Sequence, residues 1–200
     1  MCCPCRVADP TESTKRGRPR DSGADAAISE ATIALLLEKG VEALTIDAVA
    51  QRSGVGRPTI YRRFKNKEAL VTHCVWEACE AVVETAPHTE APLEDVLVML
   101  DGTVTALTRT PFGGIFRAFV PYLDKDDVYG KLANDIGKRR RGALRPALER
   151  AQQDGALDPR VDTELLADGV LGSIYFRFLL GRPVSRAYAE KLLLALGGPR

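Results

Sequence analysis

The segment from Thr45 to Leu70, TIDAVAQRSGVGRPTIYRRFKNKEAL, leaves this chain few ways to fold. Ile46, Val49 and Ala50 fall at offsets of three and four, the spacing of one helix face, and Thr45 stands where an N-cap belongs. Ala50 is small where a second helix must cross closely, and Gly54, four residues on, suits a turn that needs positive φ. Val55 and Ile60 flank a second helix start with Gly56 as its N-cap, the pattern of a hydrophobic staple. Pro58 falls in the first turn of that helix, where its missing N–H costs little. The spacing predicts two short helices packed at a steep angle across a glycine turn.

The charges on that frame have one sign. From Arg57 to Lys67 there are five bases (Arg57, Arg62, Arg63, Lys65 and Lys67) and no acid. A solvated helix face ordinarily mixes signs, whereas a face that tracks phosphates does not, because each neutralised phosphate releases counterions. Arg57, Pro58, Thr59 and Tyr61 sit near the N-terminus of the second helix, the end that reaches base edges when a helix-turn-helix enters the major groove. Asn66 can cap the helix that follows, which turns the N–H groups of Lys67 and Glu68 into a phosphate site.

With these residues in view, GVEALTIDAVAQRSGVGRPTIYRRFKNKEALV resembles the DNA-binding domain of the TetR family of bacterial transcriptional regulators. The resemblance rests on a first helix ending at Gly40, Thr45 opening the second, Ala50, Gly54 and Val55 at the turn, and Thr59-Ile60-Tyr61 in the recognition helix. Phe64 and Lys67-x-x-Leu70 then open a fourth helix, and the match covers about residues 25 to 72. It implies an all-α chain: an N-terminal three-helix head, then a helical ligand-binding and dimerisation domain, about nine helices in all. It also implies phosphate contacts from the threonine, tyrosine and lysine positions. The expected DNA-binding set is Thr45, Arg57, Pro58, Thr59, Tyr61, Arg62, Arg63, Lys65 and Lys67. Two positions depart from the family: Gly56 stands where a serine cap is frequent, and Arg63 where histidine is frequent. Glycine caps almost as well, and arginine still suits a phosphate.

The expected divisions are an extension over residues 1–22, a DNA-binding head over 23–68 and a regulatory domain over 69–200. Net charge is +1, unevenly spread: residues 1–72 carry 12 bases and 9 acids, and residues 73–200 carry 16 and 18. A positive DNA-facing half is thereby set on a mildly acidic remainder. No run of about 18 apolar residues is present and no apolar leader is visible, so a cytoplasmic location is expected.

The extension reads as disordered, polar and charged. Lys15, Arg16, Arg18 and Arg20 with Gly17 and Pro19 resemble an AT-hook core, which fits a narrow A·T minor groove; the alternative is a solvated basic tail. Cys2, Cys3 and Cys5 lack a fourth zinc ligand at suitable spacing, so no metal site is expected.

Helices are expected over about 24–39, 67–86, 91–109, 112–122, 125–153, 162–180 and 184–196, with no strand. Small and apolar residues on the penultimate helix (Leu165, Gly169, Gly172, Phe176) and Leu192 and Leu196 on the last suit an interface between copies, and the resemblance implies a homodimer built on these two helices. Met99, Thr103, Phe112, Phe116, Phe119 and Tyr175 can line a pocket for an unknown, largely apolar effector; the alternative is a packed core. The run Lys138-Arg139-Arg140-Arg141 reads as a solvated face. No phosphate loop, nucleophile elbow or paired acid and base appears, so neither an enzyme nor a cofactor is expected. The function these readings support is a dimeric repressor on a palindromic operator, released by a small ligand. The competing reading is an architectural protein of AT-rich DNA without an effector.

Overall fold

The computed structural model describes residues 22–80 and 87–199. Among them every regular element is helical: α1 Ser22–Ala43, α2 Ile46–Ser53, α3 Arg57–Arg63, α4 Lys67–Glu80, α5 Pro92–Arg109, α6 Phe112–Phe119, α7 Val128–Gln153, α8 Thr163–Leu179 and α9 Arg186–Gly197. A 3-10 turn, Val120–Tyr122, extends α6. The extension with its Lys15, Arg16, Arg18 and Arg20 arm and the Cys2, Cys3 and Cys5 cluster lie outside the described residues, as does the expected end of the fourth helix at 86.

The local chemistry explains where the helices begin and stop. Regular helix in α1 breaks at Gly40, whose φ of 76° is open to glycine alone at little cost. Thr45 caps α2, its hydroxyl accepting from the Ala48 N–H at 3.2 Å, and Gly54 closes the helix with φ 70°. Asn66 caps α4 by accepting from Ala69 N–H at 2.9 Å. Asp127, Asp162 and Ser185 cap α7, α8 and α9 in the same way, and this sets those three starts one to three residues later than periodicity alone suggests.

α1, α2 and α3 form the head, whose interior is Ile28, Leu36, Leu44, Val49 and Ile60. α5, α7, α8 and α9 pack on one another, and α4 leads from the head onto α7. α6 lies between these groups and touches α1, α4, α5 and α7. Its contact with α1 is close because of Gly114: a Cβ there would lie 2.4 Å from Leu37 Cδ2. One apolar core therefore runs without a gap from Ile28 to Leu193.

Asp95 ties the start of α5 to the end of α7. It is fully buried, accepts from Thr89 N–H (3.0 Å) and Thr89 Oγ1 (2.7 Å), and pairs with Arg150 Nη2 at 2.5 Å. Burial raises its pKa, but the Thr89 and Arg150 hydrogen bonds outweigh that and hold the carboxyl below its usual value. A carboxylate of this kind stabilises the fold fully above the unfolded-state pKa of about 3.9, and its contribution fades as pH falls toward the folded value. Asp95→Asn is expected to lower the melting temperature at pH 7. The gap to the wild type should narrow as pH is taken below about 4, which melting curves from pH 7 to pH 3 will check.

Candidate nucleic-acid interface and cavity

α2 and α3 cross over Val49 and Ile60, both fully buried, with Ile46 beside them. That packing fixes which residues of α3 face outward. Arg57, Pro58, Tyr61 and Arg62 are exposed, Tyr61 to 54%, and so are Lys65 just after the helix and Thr45 at the head of α2; Thr59 is half-buried. Arg57 pairs with Asp47 at 2.7 Å, but both are exposed, and such a pair is weak enough for a phosphate to displace the carboxylate. Among the described residues Arg62 and Lys65 have no ion-pair partner, so their charge is free to meet a phosphate.

Two residues of the expected set have partners within the head. Lys67 turns back and donates through Nζ to the carbonyls of Val41 (3.2 Å) and Glu42 (3.3 Å). The end of α1 leaves carbonyls without intrahelical donors and carries the negative pole of the helix dipole, so an ammonium is held there. Arg63 pairs with Asp25 on α1 and is mostly covered. Both residues brace the head from within rather than extending its outer face.

The second feature is a cavity of about 360 Å³ between α4, α6, α7 and α8, open to solvent past Leu123 and Asp168. Phe112, Phe116, Phe119 and Tyr175 are among its lining residues, with Phe116 and Tyr175 tilted at 4.7 Å between centroids. Met99 and Thr103 do not line it. Their face of α5 is turned into the core, where Thr103 donates to the Met99 carbonyl at 3.1 Å and accepts from Arg140 Nη2 at 3.3 Å.

Arg140 is the lining residue that the sequence reading misplaced. The run from Lys138 to Arg141 is no uniform solvated face. Lys138 is exposed, Arg139 pairs with Glu80 at 3.1 Å, Arg141 pairs with Asp168 at 3.4 Å, and Arg140 is turned inward with 8% of its surface exposed. Its guanidinium lies 4.6 Å above the Phe112 ring. Among the described residues Nη1 is buried with no hydrogen-bond partner, and the Tyr175 phenol lies beside the guanidinium. The signal was present in the helix register, since Ile136, Arg140, Leu144 and Ala147 share one face of α7 at offsets of three and four.

Cys79 and Tyr175 share the cavity wall. Burial pushes the Cys79 thiol up to about 12, with Arg140 opposing. Burial also raises the Tyr175 phenol, and Arg140 again opposes. Both groups are therefore neutral at physiological pH.

On α8, Leu165 (70% exposed) and Phe176 (62%) project into solvent with Gly172 between them, and Leu196 of α9 is exposed beside them. Gly169 is half-buried because it faces Leu196: a Cβ there would lie 3.1 Å from Leu196 Cδ1. Leu192 is half-buried against the core of its own chain and contributes little to this outer stripe. Among the described residues no three His, Cys, Asp or Glu side chains converge as metal ligands, and no helix is long and apolar enough to cross a membrane.

A glycine-turned helix pair with a basic outer face, joined to a helical body that contains a cavity, defines a DNA-binding transcriptional regulator of the helix-turn-helix class. Comparison with known proteins agrees: the family model for bacterial regulatory proteins of the tetR family matches residues 28–74, and that for the tetracyclin repressor-like C-terminal domain matches residues 86–196. The chain belongs to the TetR family. It is 31% identical over 186 residues to the uncharacterized HTH-type transcriptional regulator YdeS of Bacillus subtilis, covering 90% of this chain and 91% of that one. The crystal structure of the TetR family transcription regulator SCO0332 is similar at a TM-score of 0.64 and 29% identity, covering 86% of this chain and 96% of that one. The fold is also shared with the regulator FadR of Bacillus subtilis in complex with stearoyl-CoA, at a TM-score of 0.69 and 18% identity, over 88% and 99% of the two chains.

The covered, neutral Cys79 thiol has a direct consequence. At pH 7.5, iodoacetamide labelling followed by peptide mass mapping should leave Cys79 unmodified in the folded protein and label it fully in urea. Labelling without denaturant would show that the cavity wall opens in solution.

Proposed function

We propose that the chain is a cytoplasmic, homodimeric repressor that binds a palindromic operator and leaves it when a small molecule fills the cavity. The observation that carries this reading is the double use of α6. One side of it presents Phe112, Phe116 and Phe119 to the cavity, and Gly114 lies against Leu37 of α1. At its end the Tyr122 hydroxyl donates to Glu42 Oε1 at 2.6 Å, next to the carbonyls held by Lys67. A ligand that favours a different position of α6 thereby favours a different position of the head, and it shifts the equilibrium by its differential affinity for the two arrangements. An architectural DNA-binding protein would have no use for an aromatic-lined cavity whose wall is a helix packed on its head. That a fold neighbour was solved in complex with stearoyl-CoA supports a small-molecule role.

On DNA, Tyr61, Arg62, Lys65, Arg57 and Thr45 supply the outward contacts, with Pro58 and Thr59 at the N-terminal end of α3. The basic arm of the extension adds a minor-groove contact. A single seven-residue α3 spans few base pairs, so two heads on a twofold axis are needed to specify a site. The stripe of Leu165, Gly172, Phe176 and Leu196 supplies the contact between copies.

Fluorescence anisotropy on the DNA upstream of the chain's own gene tests this. A palindrome there should bind far more tightly than its scrambled counterpart, and equal affinity would sink the regulator reading. Arg62→Ala or Lys65→Ala should weaken binding to both DNAs and lower the slope of log affinity against log salt by about one. Phe176→Glu should give a monomer in sedimentation, with unchanged helical content and at least about tenfold weaker operator binding, since each monomer then meets only a half-site. A dimer that survives this change would move the interface elsewhere.

A further inference from the structure

We infer that the ligand of the cavity is a small amphipathic carboxylate, its acid group held by Arg140 and its apolar body by the α6 aromatics and Leu171. This inference deepens the effector reading above and rests on it. A guanidinium stays charged at any physiological pH, so a buried one must be compensated or it weighs on the fold. Arg140 is more than nine-tenths buried, and its compensation is incomplete: Nη2 donates to Thr103 Oγ1, the ring of Phe112 faces the cation, the neutral Tyr175 phenol lies beside it, and among the described residues Nη1 has no hydrogen-bond partner.

Among the described residues no carboxylate of the cavity wall neutralises it. Asp168, the acid among the lining residues, is half-exposed and committed to Arg141 at 3.4 Å. The remaining polar groups there, Asn134, Tyr175 and Cys79, carry no charge at neutral pH. The cavity thus offers one fixed positive charge with an open donor, surrounded by Phe112, Ile115, Phe116, Phe119 and Leu171. Charge-assisted hydrogen bonds in such a setting are strong, and a carboxylate matches the planar fork of the guanidinium. At about 360 Å³ the space suits a single compact ligand.

The test compares isosteres that differ only in charge: 1-naphthaleneacetate against 1-naphthaleneacetamide, and decanoate against decanamide. Each is titrated calorimetrically into the full chain at pH 7.5. The acid of at least one pair should bind about tenfold or more tightly than its amide. Arg140→Met should remove that preference, and Arg140→Lys should keep part of it. Equal binding of acid and amide by the wild type, a preference that persists in Arg140→Met, or no binding of any of the four at millimolar concentration would each overturn the assignment. The wild-type comparison stands by itself if a variant does not fold. Operator anisotropy separates the two levels. Acid binding through Arg140 without release of DNA would leave the carboxylate site intact and overturn its regulatory role. Normal operator binding with no acid preference would overturn the carboxylate assignment alone.

Discussion

The packing of α1 against α6 is the constraint on which the rest of this structure depends. α1 gives one face to α2 and the interior of the head, through residues such as Leu36, and another to α4 and α6. The head therefore has no hydrophobic core that closes before the regulatory half begins; one buried cluster runs from Ile28 and Leu36 through Leu70 and Cys74 to Phe112 and Ile115. A loose linker would let the heads point anywhere. Continuous packing lets a rearrangement at the cavity reach the outer face of α3, because close-packed interiors transmit displacement instead of absorbing it.

Polar contacts reinforce the same junction. Lys67 caps the end of α1 at the carbonyls of Val41 and Glu42, Tyr122 reaches the side chain of that same Glu42, and Arg63 is tied to Asp25 near the start of α1. Three side chains from three elements thus hold one helix. This division of labour explains why only part of the basic run faces outward. Arg57, Arg62 and Lys65 present charge to the surroundings, while Arg63 and Lys67 spend theirs on the frame.

The head was legible from the sequence because its constraints are local. Thr45, Gly54, Gly56, Pro58 and Asn66 each act within four residues of themselves, and the structure places every one of them at the cap or turn that its chemistry implies. The helices of the second half were legible for a similar reason, through their periodicity and the proline and glycine stops. What could not be read locally is which long polar side chains turn inward. Lys67 and Arg63 look like their outward neighbours until the end of α1 and Asp25 are brought beside them. Arg140 sits in a run of four cations, and only the register of α7 separates it from Arg139 and Arg141. Thr103 and Met99 were expected beside the cavity on composition, but the turn of α5 presents them to the core behind Arg140.

The absence of a side chain at Gly114 also bears on which substitutions the junction of head and body tolerates. A Cβ there would lie 2.4 Å from Leu37 Cδ2, the tip of a side chain that is 43% exposed, so any residue larger than glycine asks Leu37 to swing toward solvent. The seating of the head on α6 is thus adjustable at this contact, on the same helix whose Phe112, Phe116 and Phe119 face the cavity.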